Sequence, residues 1–406
     1  MIQLFKMALR DLGRNRRRTF FSALALGIGL SILLLMAAFI SGEFGGSIDK
    51  AIALQSGHLQ VRAPKYNEDR TSLAYEDLIE NPDALAAQIA LLEPVKLVTP
   101  RLFASGIVAV NEKSVGVRIV GIDTASQANA PFQSGIVSGS FINADDREGI
   151  LIGQTLAEKL GLKTNDRITL LVNTSNGDVQ QQPFLIRGVY TTHTPGFDEN
   201  NVLMPLPKAQ AITSAGNHAS TLFILLKDKT QSGAVLTALA SSPYQIKTWQ
   251  QLNELALSTE ELANGFIYVL YLIVLGITAT VIVNTLIMAV FERTREIGIL
   301  SAIGMRSSGI SLMFLIEAAF LTLGGIILGL LIGGAMVAYF TKFGFFIGNY
   351  GVSGILIGET IYTQLTLSDT ITLTVMAMVV SLLASLYPAM LAARMEPVEA
   401  LHGGRA

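Results

Sequence analysis

Long apolar stretches, each of more than 20 residues, are separated by more polar segments along this chain. Four apolar stretches cover residues 20–40, 262–291, 307–341 and 370–393, and Glu317 is the one charged residue inside them. Each stretch reaches the roughly 20 residues that a helix needs to cross about 30 Å of hydrocarbon. A helix is required there because lipid offers nothing to pair with exposed backbone groups. The pattern therefore predicts four transmembrane helices, the first of them too long for a cleaved signal sequence.

In residues 41–261, apolar and polar residues alternate within short segments, which is typical of a mixed α/β domain. Alternation predicts strands in "GHLQVRA", "QQPFLIRGVYTT" and "STLFILLK", and two strands joined at "NEKS" in "LFASGIVAVNEKSVGVRIVGI". The segment "GILIGQTLAEKLGLKTNDRITLLV" predicts a strand, a helix ended by Gly161 and a second strand. We predict a loop in "TPGFDENN" and a helix over residues 249–263 that runs into the second apolar stretch.

Lysine and arginine are unevenly divided among the segments that flank the apolar stretches. Residues 1–19 contain six of them and residues 292–306 contain three, whereas the loop at 342–369 contains only Lys342. Short segments rich in these residues stay in the cytoplasm. We therefore predict a multi-pass protein of the cytoplasmic (inner) membrane. Both termini, including the tail at 394–406, would be cytoplasmic, and the large α/β domain would be extracytoplasmic.

Residues 1–19 also place apolar positions on one helical face and basic positions on another. This pattern predicts an amphipathic helix that lies along the inner membrane surface in contact with lipid. A plain basic anchor for the first membrane helix is the alternative.

Composition narrows the function classes. The net charge is −2, and nucleic-acid binding needs a basic face, so we expect no nucleic-acid partner. The chain has no cysteine, so the α/β domain at residues 41–261 contains no disulfide bond. A domain of about 220 residues can be stable through its hydrophobic core alone. It lacks a phosphate-binding loop, a hydrolase nucleophile elbow and a zinc-protease histidine pair. We predict no catalytic, cofactor or metal site, with His193 a surface residue and the acidic residues at 145–148 and 198–200 in solvated loops.

Polar and small residues inside the apolar stretches are candidates for function. Glu317 is costly in hydrocarbon, so we expect it to face other helices, a partner or a wet cavity, with an interhelical hydrogen bond as the alternative. Asn284 is expected to bond a neighbouring helix. Gly325, Gly329 and Gly333 have the four-residue spacing that lets helix backbones approach closely. They predict either packing within this chain or a dimer interface.

The segment at 292–306, "ERTREIGILSAIGMR", mixes charges with apolar positions. Read as a helix, it is predicted to place Ile297, Leu300 and Ile303 on one stripe beside the charged residues 292–296. A membrane anchor needs only basic residues, whereas mixed charge beside an apolar ridge suits docking into a groove of another protein. Docking is the preferred interpretation, and a positive-inside anchor is the alternative.

Several motifs together resemble a known family. "ALRDLGRNRRRTFFSALALGIG", "GHLQVRAPKY", "ILIGQTLAEKLGL", "ERTREIGILSAIGM" and "YPAMLAARMEPVEAL" are similar, in this order, to FtsX/MacB-type ABC transporter permeases. The resemblance implies an α-helical membrane protein with four transmembrane helices and a large extracytoplasmic α/β (α+β) domain inserted between helices 1 and 2. It also implies porter and sabre subdomains in that domain, with the sabre at about residues 121–214.

The resemblance implies a function as well. Such permeases pair as homodimers or heterodimers, and each contacts an ATPase subunit that binds ATP and Mg²⁺, so this chain would need no cofactor and would not be an enzyme. Because no ATPase domain precedes the first span, the ATPase is expected on a separate chain. ATP hydrolysis would move the extracytoplasmic domain, by mechanotransmission, to extract or export a hydrophobic substrate, with a lipoprotein the first guess. The alternative is a non-transporting FtsX-like signalling complex that regulates a cell-envelope enzyme.

In that family the 292–306 segment would be the coupling helix that contacts the ATPase. The residues that the resemblance assigns to this contact are Glu292, Arg293, Arg295, Glu296, Ile297, Gly298, Leu300, Ile303, Gly304 and Met305.

Overall fold

The chain folds into two compact units. The computed structural model describes residues 5, 7, 10, 13–14, 16–67, 73–110, 113–348 and 356–395. The helical unit is made of residues 1–43, 260–345 and 361–406, and the α/β unit of residues 44–259 and 346–360. The chain therefore passes from one unit to the other four times. Much of the predicted amphipathic helix at 1–19 lies outside the described residues.

The helices, in chain order, are Arg16–Ala51 (α1), Pro82–Ala90 (α2), Ala130–Ser134 (α3), Gln154–Leu160 (α4), Pro195–Asn200 (α5), Leu206–Ile212 (α6), Ser232–Ala238 (α7), Trp249–Leu252 (α8), Glu254–Glu292 (α9), Thr294–Ala302 (α10), Ser307–Phe343 (α11) and Leu367–Ala393 (α12). The strands are Leu59–Arg62 (β1), Ile79–Glu80 (β2), Val95–Val110 (β3), Lys113–Ile122 (β4), Ile136–Gly139 (β5), Gly149–Gly153 (β6), Arg167–Asn173 (β7), Val179–Tyr190 (β8), Asn201–Pro205 (β9), His218–Ala219 (β10), Thr221–Leu226 (β11), Gln245–Thr248 (β12), Phe345–Phe346 (β13) and Thr360–Ile361 (β14).

Four of these helices, α1, α9, α11 and α12, are long and apolar enough to cross a membrane. They are the four predicted spans, but α1 is longer than predicted. The helix predicted to run from residue 249 into the second span is present, with an interruption at Asn253. The predicted boundary between residues 40 and 41 falls inside α1, which continues to Ala51 and then into a π-helical turn, Ile52–Ser56. Hydropathy marks where the apolar sequence ends, and a helix can continue beyond that point because its backbone bonds are internal.

The α/β unit is built on a ten-stranded sheet in the order β12-β1-β11-β3-β4-β9-β6-β8-β5, with β7 paired to β3 and β8. Most neighbours are antiparallel; β4 with β9 and β6 with β8 are parallel. The long strand β3 joins two regions, since its first half pairs with β11 and its second half with β7. The predicted sabre boundary at residue 121 falls within β4.

Most of the predicted strands are present, and Gly161 ends α4 with φ +71°. The predicted loop "TPGFDENN" is wrong, because residues 195–200 form α5. Pro195 presets the φ angle of the first helical turn. The Phe197 ring, 2% exposed, stacks on Phe132 with ring centroids 5.7 Å apart. The tertiary packing of this ring stabilises a helix that its polar sequence does not indicate.

Asp198 was predicted to be solvated, and this is also wrong. Its side chain is 1% exposed. It accepts hydrogen bonds from the Thr192 amide at 2.9 Å, the Thr192 hydroxyl at 2.7 Å and the Thr191 hydroxyl at 3.0 Å. Burial raises the pKa of Asp198 from 3.8 to about 6. These three donors offset the cost of burying this polar side chain away from water.

The helices that lead to the first two spans meet inside the α/β unit. Asn253 is the single non-helical residue between α8 and α9. Its side-chain Nδ2 donates a hydrogen bond to the hydroxyl of Ser56, in the π-helical turn after α1, at 3.3 Å. Arg101, 1% exposed, donates to the carbonyl of Leu54 in the same turn at 2.6 Å and lies 3.8 Å from the centroid of the Phe223 ring. Arg101 thus fixes the turn to the sheet.

Asp198→Asn is expected to change the pH dependence of stability. Between pH 3.8 and about 6 the folded state keeps a proton that the unfolded state loses. The contribution of this carboxyl is therefore fully present below about pH 4 and falls by up to about 3 kcal/mol as the pH rises to about 6. We expect the Tm of the wild type, relative to that of Asp198→Asn, to fall between about pH 4 and about pH 6. Parallel Tm curves for the two proteins would contradict this.

Candidate functional site

The segment at 292–306 forms a short helix between two turns. The chain leaves α9 at Arg293, whose φ of −114° and ψ of 14° are not helical, and enters α10. At the other end Gly304 has φ +97°, and the amide of Met305 donates to the Leu300 carbonyl at 3.0 Å. A left-handed glycine followed by this bond is a common way for a helix to end. Gly304 therefore specifies the C-terminal end of α10.

One face of α10 packs against the helical unit. Ile297 is 1% exposed and lies in an apolar cluster with Val290, Met313 and Phe314. Gly298 is buried beside it. The side chain of Ile297 therefore lies in the core of its own chain. Its predicted contact with an ATPase stays a prediction.

The three residues predicted to share a stripe do not lie on one face. Successive steps of three residues drift by about 60° on a helix of 3.6 residues per turn. Ile303 is therefore about 120° around the axis from Ile297. Leu300 is half-buried between them, and Ile303 is 80% exposed.

The exposed side of α10 is formed by Arg295, Ile299 and Ile303, which we call the docking ridge. Residues four apart lie on the same side of a helix. The side chain of Ile299 is 43% exposed and that of Ile303 is 80% exposed, and Arg295 is exposed beside them. Sequence reasoning overlooked Ile299, although its four-residue spacing from Ile303 would have identified it.

Two exposed ion pairs join this region to the start of the chain. Arg14 Nη1 lies 2.6 Å from Glu296 Oε1, and Arg18 Nη1 lies 2.6 Å from Glu292 Oε2. Exposed pairs each contribute at most about 1 kcal/mol. Their value here is geometric, because Arg18 belongs to α1 and brings that helix to the end of α9.

A buried ion pair joins the same region to α11. Arg293 Nη1 lies 3.4 Å from Glu317 Oε2, and the two side chains are 4% and 5% exposed. Glu317 therefore faces the residue at which α9 turns into α10. Removing one member of a buried pair typically costs about 3–5 kcal/mol, because the other charge stays buried.

A groove of about 230 Å³ opens between α10, α11 and the N-terminal residues. Its lining includes Met7, Arg10, Ile299, Leu300 and Met313. Methionines in a groove adapt to the shape of an inserted side chain. The groove and the docking ridge share Ile299, so they form one continuous surface.

Two family profiles match this chain. Residues 19–242 match the MacB-like periplasmic core domain, which is more than half of the chain, and residues 268–397 match the FtsX-like permease C-terminal domain. The chain belongs to the MacB/FtsX family of ABC transporter permeases.

Two known proteins can be aligned with almost the whole length of the permease. It is 24% identical, over 94% of its length, to the lipoprotein-releasing system transmembrane protein LolE of Haemophilus influenzae, of which it covers 93%. It is 29% identical, over 98% of its length, to the macrolide export ATP-binding/permease protein MacB of Rhodospirillum rubrum, of which it covers 60%. The periplasmic region of MacB from Actinobacillus actinomycetemcomitans matches 51% of the permease, and the permease covers 96% of that region, at 13% identity and a TM-score of 0.34.

The permease uses its glycine repeat for packing within the chain. A Cβ built on Gly329 would lie 2.9 Å from Leu30 Cβ and 3.0 Å from the Gly27 carbonyl oxygen. Gly325 meets Leu26, and Gly333 meets Ser31, in the same way. These contacts bring α11 close to α1.

Asn284 of the permease lies on the exposed side of α9. In the described part of the chain no hydrogen bond to its side chain is seen. A bond from Asn284 to a neighbouring helix therefore stays a prediction.

Glu317→Gln is expected to destabilise the permease more than a double variant in which both Arg293 and Glu317 are replaced by uncharged residues. The single change leaves the Arg293 charge buried without its partner carboxylate, whereas Arg293→Met with Glu317→Met removes both. We expect the Tm in detergent to fall for Glu317→Gln and to recover by about half or more in the double variant. An additive fall in the double variant would contradict the pairing.

Gly329→Ala is expected to weaken the contact between α1 and α11. The added methyl group would be closer to Leu30 than real Cβ atoms come and in tight contact with the Gly27 carbonyl. Overpacking of this kind costs about 1–3 kcal/mol. Gly334→Ala is the matched control, because a Cβ there meets nothing within 4 Å. Equal Tm values for the two variants would show that the close approach is not required.

Proposed function

We propose that this permease couples ATP hydrolysis by a separate ATPase subunit to movement of its α/β unit. The docking ridge carries this proposal. Two exposed isoleucines lie on a helix whose opposite face is packed into the helical unit. An exposed apolar ridge of this kind suits insertion into a groove of another protein. The ATPase would bind ATP and Mg²⁺, and this chain would contribute no catalytic residue.

The fixed ends of α10 give the contact a mechanical role. Arg293 holds the start of α10 to Glu317 in α11, and Glu292 and Glu296 hold it to the arginines at the start of the chain. A push on the docking ridge would therefore move α9, α11 and α1 together. Two of these helices, α1 and α9, continue without a break from the helical unit into residues of the α/β unit.

The distribution of positive charge supports an orientation. With the basic flanks inside, α10 and both termini would face the cytoplasm of a cell with this permease in its inner membrane. The α/β unit would then be extracytoplasmic, and the substrate would be acted on there or at the outer leaflet. A second permease, identical or different, would complete the transporter.

The substrate class is proposed from the relatives. LolE and LolC are named as transmembrane proteins of lipoprotein-releasing systems, and both are similar to this permease. The alignment with LolE covers 93% of the LolE chain. We therefore place a lipoprotein first among hydrophobic substrates. A non-transporting complex that regulates a cell-envelope enzyme is the alternative, and recovery of such an enzyme in place of a lipoprotein with the purified complex would favour it.

Ile303→Asp is expected to separate the ATPase from the permease. A charge on this side chain, 80% exposed, would not disturb the fold but would have to be buried in the ATPase groove. Tagged permease would be purified from native membranes, and the ATPase subunit that co-purifies with it would be measured. We expect the amount of this subunit and the recovered ATPase activity to fall about tenfold or more.

Leu91→Asp is the matched control, because Leu91 is 86% exposed in the α/β unit. It should leave ATPase recovery unchanged. Normal recovery of an active complex with Ile303→Asp would refute the docking role.

A further inference from the structure

The segment between α11 and α12 belongs to the α/β unit. Residues 346–360 cluster with residues 44–259, although the helices on either side of this segment are in the helical unit. Sequence reasoning treated 342–369 as a plain loop. The described residues 356–359 make specific contacts, and we call them the tie segment.

An apolar contact anchors the tie segment at its first residue. Leu356 packs against the buried cluster that contains Leu54, Phe132, Tyr190 and Phe197. Leu54 lies in the π-helical turn after α1, and Phe197 lies in α5. The tie segment therefore rests on a part of the core that also holds the end of the first helix.

Two backbone hydrogen bonds fix its last residue. The amide of Glu359 donates to the carbonyl of His193 at 3.1 Å, and the amide of Ile347 donates to the carbonyl of Glu359 at 2.9 Å. His193 has φ +53°, a left-handed conformation that a residue with a side chain adopts at a cost of about 1–2 kcal/mol. Such conformations persist where the surroundings impose them.

Charges lie on both sides of this backbone contact. His193 Nδ1 is 3.5 Å from Glu359 Oε2. The ammonium of Lys50, near the end of α1, lies directly against Gly358, where a Cβ would overlap Nζ. Lys50 is also attracted by the carboxylates of Glu359 and Asp198.

We propose that the tie segment stays bound to the α/β unit throughout the working cycle of the permease. It is a noncovalent connection through which α11 and α12 act on that unit, beside the chain connections through α1 and α9. The contacts on which it rests are all within the α/β unit. The persistence of this contact can be tested without knowing the substrate.

The contact between Glu359 of the tie segment and His193 can be tested by disulfide cross-linking, because the chain has no cysteine of its own. His193→Cys with Glu359→Cys would place the only two thiols at the proposed contact, and each single variant is a control. In the full permease in nanodiscs, mild oxidation should remove both thiols of the pair from maleimide labelling but leave the single variants labelled. Failure of the pair to cross-link in the absence of nucleotide would overturn the proposal.

The same pair tests persistence in the complex with the ATPase. We expect the cross-linking yield to be the same without nucleotide and with ATP and vanadate. A clear fall, about twofold or more, in the trapped state would show that the contact opens and would overturn the proposal.

A second pair of variants tests whether the contact transmits movement. Glu359→Pro removes the amide that bonds His193, because proline has no N–H, and Glu359→Gln keeps it. We expect nucleotide-dependent changes in hydrogen exchange of the α/β unit to persist in Glu359→Gln and to fall by about half or more in Glu359→Pro.

An unchanged response in Glu359→Pro would overturn the role in transmission. Absence of any nucleotide response in the wild type would instead contradict the proposed function, and the cross-linking result would still decide whether the tie segment is bound.

Discussion

The Arg293–Glu317 ion pair decides where the docking ridge points. The pair is almost fully buried, so the two charges compensate each other where water is excluded. Arg293 is also the single residue at which α9 stops being helical. The guanidinium therefore fixes the angle between α9 and α10 by its attachment to a third helix. Ile297 then fills the core below, and Ile299 and Ile303 are left outside. If the angle were free, α10 could rotate and bury its exposed isoleucines.

Hydrophobic patterning predicted the four membrane helices because a span of lipid requires a run of apolar residues wherever it occurs. It also found most strands of the sheet, where alternation reflects one buried face. It failed where hydrogen bonds, packing between elements or the exact rotation of a helix decide the outcome. Asp198 became buried because Thr191 and Thr192 supply donors, and no local pattern indicates those bonds. The rotation of α10 was misjudged because three-residue steps look like one stripe in sequence but turn steadily around a real helix. The arginines that pair with Glu292 and Glu296 are about 280 residues away along the chain.

The α/β unit is tied into the rest of the chain more closely than an insertion between two spans would be. A conventional insertion has one entry and one exit, and can move about both as a hinge. Here the polypeptide enters and leaves this unit twice. Arg101 of β3 bonds the π-helical turn after α1, Asn253 just before α9 bonds Ser56 in the same turn, and Leu356 in the tie segment packs against a core cluster that includes Leu54 of that turn. A unit held at several points transmits force with less slack than one held at two.

The contact between α1 and α11 repeats along its length. Leu26, Leu30 and Leu34 meet Gly325, Gly329 and Gly333 in turn, with the same four-residue step on both helices. A shift of one helix by four residues, about 6 Å, would seat two of the three leucines on the next glycine. Steric fit alone therefore distinguishes poorly between neighbouring registers of these helices. The salt bridges at one end, Arg18 with Glu292 and Arg293 with Glu317, do not repeat. They join α1 and α11 to adjacent residues at the end of α9. Shape therefore sets the spacing of α1 and α11, and charge selects their register through α9.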